Sequence, residues 1–397
     1  MKSIRDLDLS GRSLFLRVDF NVPISGGSVG DDTRIAETLP TVRLARSRGA
    51  RVVCASHLGK PKGKRKPELS LAPVAVRFAE LLRAPVRFVE DCVGPEAQTA
   101  AASLEPGEVL LLENLRFHAG EEANDPEFAR SLASLADAYV DDAFGALHRA
   151  HASIVGVPRV LAGRAEGGTA LTGAGLLLEK EVRELSRLLD PQRPFAAILG
   201  GAKISGKIDT LRVLSRRADI LLIGGGMANH FVRALGLSVG RSLLEEDKVA
   251  LAREILDSCK EAGKAIALPS DFVVAKSPDD AAGARTVSIQ KIPDDAMALD
   301  VGAKTIEQFA RLLEPARTIF WNGPMGVFEK PPFDRGTMAV ARLLAESGAV
   351  TVVGGGESVQ AAHQAGVAAK FTHVSTGGGA SLEFLAEGKL PGIEALE

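Results

Sequence analysis

The stretch "GGAKISGKID", beginning at Gly200, comes close to a phosphate-binding loop. Gly201, Gly206 and Lys207 fit G-x-x-x-x-G-K, a spacing in which glycine amides and a lysine cradle phosphates. The motif then needs a Ser or Thr hydroxyl for Mg2+, and this chain has Ile208 there. The residue types fit anion binding but not the metal geometry of a P-loop. Four more glycine-rich segments, "LIGGGMAN", "WNGPMG", "VVGGGES" and "STGGGAS", end apolar runs in the second half of the chain. Glycine lets a backbone approach a ligand closely, and a following helix N-terminus offers free N–H groups and partial positive charge. One such turn can be purely steric, whereas five in one region point to a phosphate-rich ligand.

The first half presents other chemistry at the same kind of place. "RVDFNVP", "SHLGKP", "ENLRFH" and "DDAFGALHRAH" present Asp19, Asn21, His57, Arg116 and Arg149, and Arg34 opens the next helix. Arginine forks bind carboxylate and phosphate in a bidentate manner, so this set suits a small organic anion. Any one of these arginines could instead pair with a surface acid, but that is a poor account of all of them at strand ends.

The elements that must position these groups are legible from periodicity. Short apolar, β-branched runs such as "RSLFLRVDF", "ARVVCAS", "EVLLLEN" and "DAYVDDA" alternate with helical stretches such as "FARSLASLAD". The second half repeats the pattern with "PFAAILGG", "ADILLIGG", "KAIALPS", "TIFWNG", "AVTVVGG" and "THVSTGG", and with the helical "KVALAREILDSCKEAG". The alternation predicts an α/β protein with two doubly wound, Rossmann-like parallel-sheet domains, whose ligands lie beyond the carboxyl ends of the strands. The segment 176–191, "LLLEKEVRELSRLLDP", has helical periodicity and lies between the two sets of motifs. It reads as a connecting helix able to carry a hinge motion across a cleft, or as an ordinary packed helix.

Composition narrows the partners. The length of 397 residues suits two domains, and 46% hydrophobic with 25% charged residues is the balance of a globular protein. A net charge of -2 gives no reason to expect nucleic acid or a membrane surface as a partner. No apolar run reaches the roughly 18 residues of a membrane span, and "MKSIRDLDLSGR" has no signal-peptide segment. Cys54, Cys92 and Cys259 are widely spaced and odd in number, which predicts a reducing, cytoplasmic setting rather than a disulfide or metal framework. His148 and His151 are three apart, but no further ligand completes a zinc site. "KPKGKRK", from Lys60, reads as a solvated, anion-attracting loop because no aromatic residues interleave its charges. A nicotinamide dehydrogenase would need G-x-G-x-x-G in the first βαβ unit, where it is absent.

With these segments in view, the chain resembles the phosphoglycerate kinase family from end to end. "RVDFNVP", "SHLGKP", "LLENLRFH", "DDAFGALHRAHAS", "LGGAKISGKI", "GGGMAN", "WNGPMGVFE", "VVGGGES" and "STGGGASLE" occur in the family's order. The resemblance implies reversible phosphoryl transfer between ATP and the carboxylate of 3-phosphoglycerate, giving ADP and 1,3-bisphosphoglycerate with Mg2+, by a cytoplasmic monomer. It assigns Asp19, Asn21, Arg34, His57, Leu58, Gly59, Lys60, Arg116 and Arg149 to the phosphoglycerate. It assigns Gly201, Lys203, Lys207, Asn322, Glu329 and the turn Gly355, Gly356, Glu357 and Ser358 to the nucleotide. Gly225, within Gly224 to Gly226, would lie near the adenine, and Gly379 near the transferring phosphate. The family folds its C-terminus back onto the first domain, so the expected domains are 1–172 with 381–397, and 173–380. The near P-loop is then an accident, since the family usually has an acidic residue where Gly206 stands, and Lys203 becomes the important lysine.

A carboxylate acceptor is already ionised at neutral pH, so no general base is required. The expectation is that Arg34 and Lys203 flank the moving phosphoryl group while backbone amides at Gly356 and Gly379 complete the cradle. Several positions depart from the family pattern. Glu357 replaces the usual Asp as metal ligand, and Ser358 replaces Thr. Lys60 replaces Arg, Ala146 and Leu147 replace Thr and Ala, and Pro331-Pro332 follows Glu329. These changes leave one alternative open, a catalytically weakened homologue with a binding or regulatory role.

Overall fold

The computed structural model describes residues 1–164 and 171–397. It divides into two compact units, Met1–Arg183 with Lys389–Glu397, and Glu184–Gly388. Each is built on a six-stranded parallel sheet, as the alternation of apolar runs and helical stretches predicts.

In the first unit the strands are β1 (Ser13–Arg17), β2 (Arg51–Ala55), β3 (Arg87–Val89), β4 (Val109–Leu112), β5 (Ala138–Asp141) and β6 (Thr172–Ala174). Their spatial order is β3-β4-β2-β1-β5-β6, all parallel. Every residue of β1, β4 and β5 is buried, as expected for parallel strands covered on both faces. In the core Phe20 meets Phe78 edge-on at 5.0 Å, and burying one such ring is worth about 1.5–3 kcal/mol. The chain leaves β1 towards β2 on one side and leaves β5 towards β6 on the other, so β1 and β5 flank the point where the winding reverses. A crevice opens at such a switch point, and the residues just beyond β1 and β5 must line it.

In the second unit β7 (Phe195–Leu199), β8 (Ile220–Ile223) and β9 (Ala265–Ala267) lie on one side of the parallel sheet. A separate antiparallel sheet follows, made of β10 (Asp271–Ala275), β11 (Arg285–Ser288) and β12 (Met297–Val301) in the order β11-β10-β12. The parallel sheet is completed by β13 (Thr318–Asn322), β14 (Val350–Gly354) and β15 (His373–Val374), giving β9-β8-β7-β13-β14-β15. Here the switch point lies between β7 and β13, which run in register from Phe195 opposite Thr318 to Leu199 opposite Asn322.

Helix Leu176–Leu189 matches the periodic segment, and the division between the units falls inside it. The C-terminal return begins later than the expected 381. Helix Gly379–Glu387 packs on helix Ile208–Arg217 and so stays in the second unit. It ends at Gly388, which is left-handed (φ 79°) and donates its N–H to Phe384 O at 2.8 Å. From Lys389 onward the chain belongs to the first unit, where Gly392 N donates to Leu147 O at 3.0 Å.

Candidate functional site

The first site grows from the end of β1. Arg17, an arginine inside an apolar run, is fully buried. Its Nε donates to Ser153 Oγ at 2.8 Å, and its NH2 group lies 3.1 Å from His57 Nδ1. A guanidinium can only donate, so Nδ1 accepts and Nε2 of His57 carries the proton. Burial, with the charges of Arg17, Arg116 and Arg34, holds the imidazole well below its ordinary range and therefore neutral. Asp19 accepts from Arg34 NH1 at 2.7 Å. Burial opposes its charge, but the guanidinium charges of Arg34 and Arg17 and the N–H of Asn21 outweigh that and hold the carboxyl below its ordinary value.

The next strand ends join the same cluster. Asn21 Oδ1 accepts the N–H of Gly59 at 2.9 Å, and Arg116 NH1 donates to Gly59 O at 2.9 Å. Asn114 grips Leu58 through its N–H at 3.2 Å and its carbonyl at 2.8 Å. Gly59 is left-handed (φ 62°), and a Cβ there would meet Leu69 at 2.8 Å, so this turn requires glycine. Below these groups Glu121 is fully buried, accepts from Ser153 Oγ at 2.6 Å, and has its pKa raised by burial. The structure thus brings Asp19, Asn21, Arg34, His57, Leu58, Gly59 and Arg116 into one connected network. Lys60 and Arg149 are exposed and form no side-chain hydrogen bond or ion pair among the described residues. His148 and His151 belong to this side too. Burial and neighbouring arginines lower both, His151 to about 4, so they stand as neutral polar groups.

In the second unit the groups that converge are backbone. Gly200 N donates to Asn322 O at 2.9 Å and Gly201 N to Pro324 O at 2.8 Å, joining the ends of β7 and β13. Gly225 (φ 60°) packs so closely that a Cβ there would stand 2.6 Å from Pro324 O and 2.7 Å from Gly201 N. Lys207 folds back on this turn, Nζ donating to Gly200 O at 3.0 Å. Burial lowers its ammonium to about 8, with Glu357 acting the other way. Asn322 Nδ2 donates to Gly354 O at 2.7 Å, and Ser358 Oγ accepts Gly323 N at 2.5 Å. Gly355 (φ 88°) then leads into helix Gly356–Gln364, with Glu357 exposed in its first turn. Lys203, Gly356, Glu329 and Gly379 are exposed.

Two of the five glycine-rich ends do not open helices directly, contrary to the sequence expectation. After Gly201 the chain runs through a loop and a short 3-10 turn before helix Ile208–Arg217, and "WNGPMG" leads into turns ahead of helix Arg335–Ala345. Their glycines serve close backbone packing at the switch point instead. Beside them lies a cavity of about 200 Å³, walled by Gly201 and Gly225, by Pro324 to Val327, by Leu243, and by Phe272 and Met297 to Asp300 of the antiparallel sheet. Glu329 and Glu357 also line it. Its apolar wall with carboxylates suits a flat heteroaromatic base carrying polar substituents.

Sequence reasoning missed Arg17, Asn114, Glu121 and this apolar wall. Arg17 had a readable signal, a cation within an apolar strand, whereas Phe272, Met297 and Leu299 look like any core residue. It also missed the grouping of Asp91, Cys92 and His118, whose ligand-type atoms lie within 4.8 Å of one another. His118 Nε2 and Asp91 Oδ1 satisfy each other at 2.7 Å. Among the described residues no helix is long and apolar enough to cross a membrane.

Comparison with known proteins gives a consistent result. The family model described as phosphoglycerate kinase matches residues 4–389. A phosphoglycerate kinase of Moorella thermoacetica is 53% identical over 395 residues, covering 99% of this chain and 98% of the relative. One from Thermus thermophilus is 53% identical over 403 residues, covering both chains completely. Among solved structures, phosphoglycerate kinase from Coxiella burnetii matches with a TM-score of 0.87 at 39% identity, over 100% of this chain and 98% of that one. The enzyme from Pyrococcus horikoshii matches with the same TM-score at 34% identity and the same coverage.

Proposed function

The chain belongs to the phosphoglycerate kinase family, and from this premise we propose that it transfers a phosphoryl group reversibly between ATP and the carboxylate of 3-phosphoglycerate. The observation that carries the reading is the contrast between the two switch points: guanidinium and imidazole groups at one, glycine amides beside an apolar cavity at the other. The cationic set suits a small phosphorylated acid. Arg34 and Arg116 offer forks for carboxylate or phosphate, neutral His57 offers its Nε2 proton, and exposed Arg149 and Lys60 remain free to engage the ligand. The cavity suits adenosine, with Glu329 for ribose hydroxyls and the turns at Gly201 and Gly355 for phosphates.

Phosphoryl transfer asks the protein mainly for in-line positioning and compensation of charge on the equatorial oxygens. Arg34 and Lys203 take that compensating role, joined by the amides at Gly356 and Gly379. No side chain is needed to remove a proton, because the accepting carboxylate is ionised at neutral pH. Mg2+ fits the residues present: Glu357 is an exposed carboxylate in the first turn of its helix, a hard oxygen donor compatible with an ion that keeps most of its waters. When bound, it would supply positive charge that offsets the negative charge of the nucleotide phosphates. Binding of both substrates is followed by closure about the connecting helix, which excludes water and protects ATP from hydrolysis. The enzyme acts as a cytoplasmic monomer. None of the matched relatives favours the alternative of a weakened homologue kept for binding or regulation.

A single coupled assay tests this reading: ATP consumption with and without 3-phosphoglycerate, and with and without Mg2+. Turnover that requires both is expected. ATP hydrolysis indifferent to the acid, or no turnover at all, would overturn it.

A further inference from the structure

Asp142 is fully buried, with no cation at ion-pair distance among the described residues. A carboxyl withdrawn from water is costly unless hydrogen bonds and opposite charge replace its hydration. Here Oδ1 finds that replacement at the start of helix Leu176–Leu189, while Oδ2 is buried without a hydrogen-bond partner among the described residues and burial raises the carboxyl to about 7. Asp142 Oδ1 accepts the N–H of Leu177 at 2.9 Å and of Leu178 at 3.0 Å, at the helix end that carries partial positive charge. Leu176 N donates to Thr41 Oγ1 at 2.9 Å, so Thr41 holds the amide next to the pair that Asp142 holds. Gly175 N donates to Asp141 O at 2.7 Å. Four consecutive amides, Gly175 to Leu178, are therefore all held from outside the helix. Gly175 has no alternative residue, since a Cβ there would overlap the Asp142 carboxylate.

The partners of this helix end are informative. Asp142 is the residue after β5, its own N–H donates to Arg17 O at 2.8 Å, and the loop beyond it carries Arg149. Thr41 lies on helix Thr33–Ser47, which carries Arg34 in its first turn. The elements that present Arg34 and Arg149 thus meet the first turn of the helix inside which the two compact units divide.

We propose that Asp142 and Thr41 are positioning residues that clamp the first turn of the connecting helix to the elements carrying Arg34 and Arg149. Occupancy of the acid site thereby sets the direction in which this helix leaves the first unit. The proposal rests on the phosphoglycerate kinase reading and adds a coupling part that neither residue supplies by touching substrate.

The test uses the full chain with Asp142→Asn, Thr41→Val and the conservative Thr41→Ser. Turnover is measured with both substrates, and calorimetry gives the dissociation constant of each substrate alone. Scattering gives the contraction when both are present, and melting temperatures report on folding. Asn offers the two helix amides a neutral acceptor in place of a carboxyl that can carry charge, so kcat for Asp142→Asn should fall about 10- to 100-fold. Its affinity for each substrate alone should stay within about two-fold of wild type, and the contraction should be lost. Thr41→Val should shift the same readouts in the same direction, and Thr41→Ser should restore them. Unchanged kcat in Asp142→Asn, or a loss matched by an equal loss of 3-phosphoglycerate affinity, would overturn the clamp. If Asp142→Asn does not fold, the Thr41 pair decides: equal behaviour of Val and Ser would overturn it. Wild-type chain without acid-dependent ATP turnover would sink the activity instead, a distinct result.

Discussion

The two switch points occupy equivalent places in similar sheets and are furnished by opposite means. Between β1 and β5 the working groups are mostly side chains held by further side chains, Arg17 behind His57 and Asp19 behind Arg34, while Asn114 fixes the backbone of Leu58. Between β7 and β13 the working groups are backbone amides, and what holds them is the absence of a side chain, as at Gly225 and Gly355. Topology opens a crevice at each place, and the residues at the strand ends set its chemistry. A side-chain site needs a second layer of buried polar groups to fix its rotamers. A backbone site needs close approach, which only glycine permits. The first is therefore vulnerable to truncation, the second to addition.

The largest effect is expected where that contrast breaks down, at the exposed cation Lys203, proposed above for the transfer step. Removing one preorganised donor to the developing charge typically costs about 100- to 1000-fold in rate. Lys203→Ala should lower kcat by that order while leaving ADP binding little changed. Near-wild-type turnover in a steady-state assay would remove Lys203 from the transfer step. Next comes addition of a methyl group. Gly225→Ala places a Cβ against Pro324 O and Gly201 N, and overpacking of this kind costs about 1–3 kcal/mol. Calorimetry should show weakened ATP binding with 3-phosphoglycerate binding intact. If both weaken equally, the two sites are not the independent constructions described.

A third test uses pH. Burial raises Asp300, which lines the cavity beside Gly201 and Gly225, to about 8, against an ordinary value of 3.8. In this window the folded chain holds a proton that the unfolded chain has released, so its contribution to stability is full below the ordinary value and is lost as pH rises towards about 8. The slope from this one group is at most about 1.4 kcal/mol per pH unit. Urea midpoints for wild type should fall between acid and neutral pH more steeply than for Asp300→Asn, and parallel curves would refute the assignment. The smallest effect is expected on the side-chain site. Lys60→Arg restores a planar fork at an exposed position, and an exposed pair is worth about 0.2–1 kcal/mol. KM for 3-phosphoglycerate should drop no more than about five-fold, the range such an energy allows, and a rise would mean that Lys60 does not face the acid.

Much of this was legible beforehand because parallel strands buried on both faces read as short apolar runs. "RSLFLRVDF" and "TIFWNG" fall on β1 and β13, and the periodic "KVALAREILDSCKEAG" on helix Val249–Glu261. Strands β3 and β6 were not, since "VRFVED" mixes charges into a short run and "TGA" holds no large apolar residue, whereas the equally short β9 sits in the longer run "KAIALPS". The antiparallel sheet was missed because β10 follows the "KAIALPS" run almost directly and merges with it.

What the sequence determined by itself was local chemistry: which strand ends carry arginine, which carry glycine, and which segments are helix or strand. These follow from residue type and from periods of two and 3.6, which need no knowledge of distant neighbours. Only the tertiary structure decided that β1 stands beside β5, that Arg17 turns inward to orient His57, and that Asp142 meets a helix starting thirty-four residues later. The order of a parallel sheet is set by long crossover connections and shared core packing. No local preference encodes which two strand ends become neighbours.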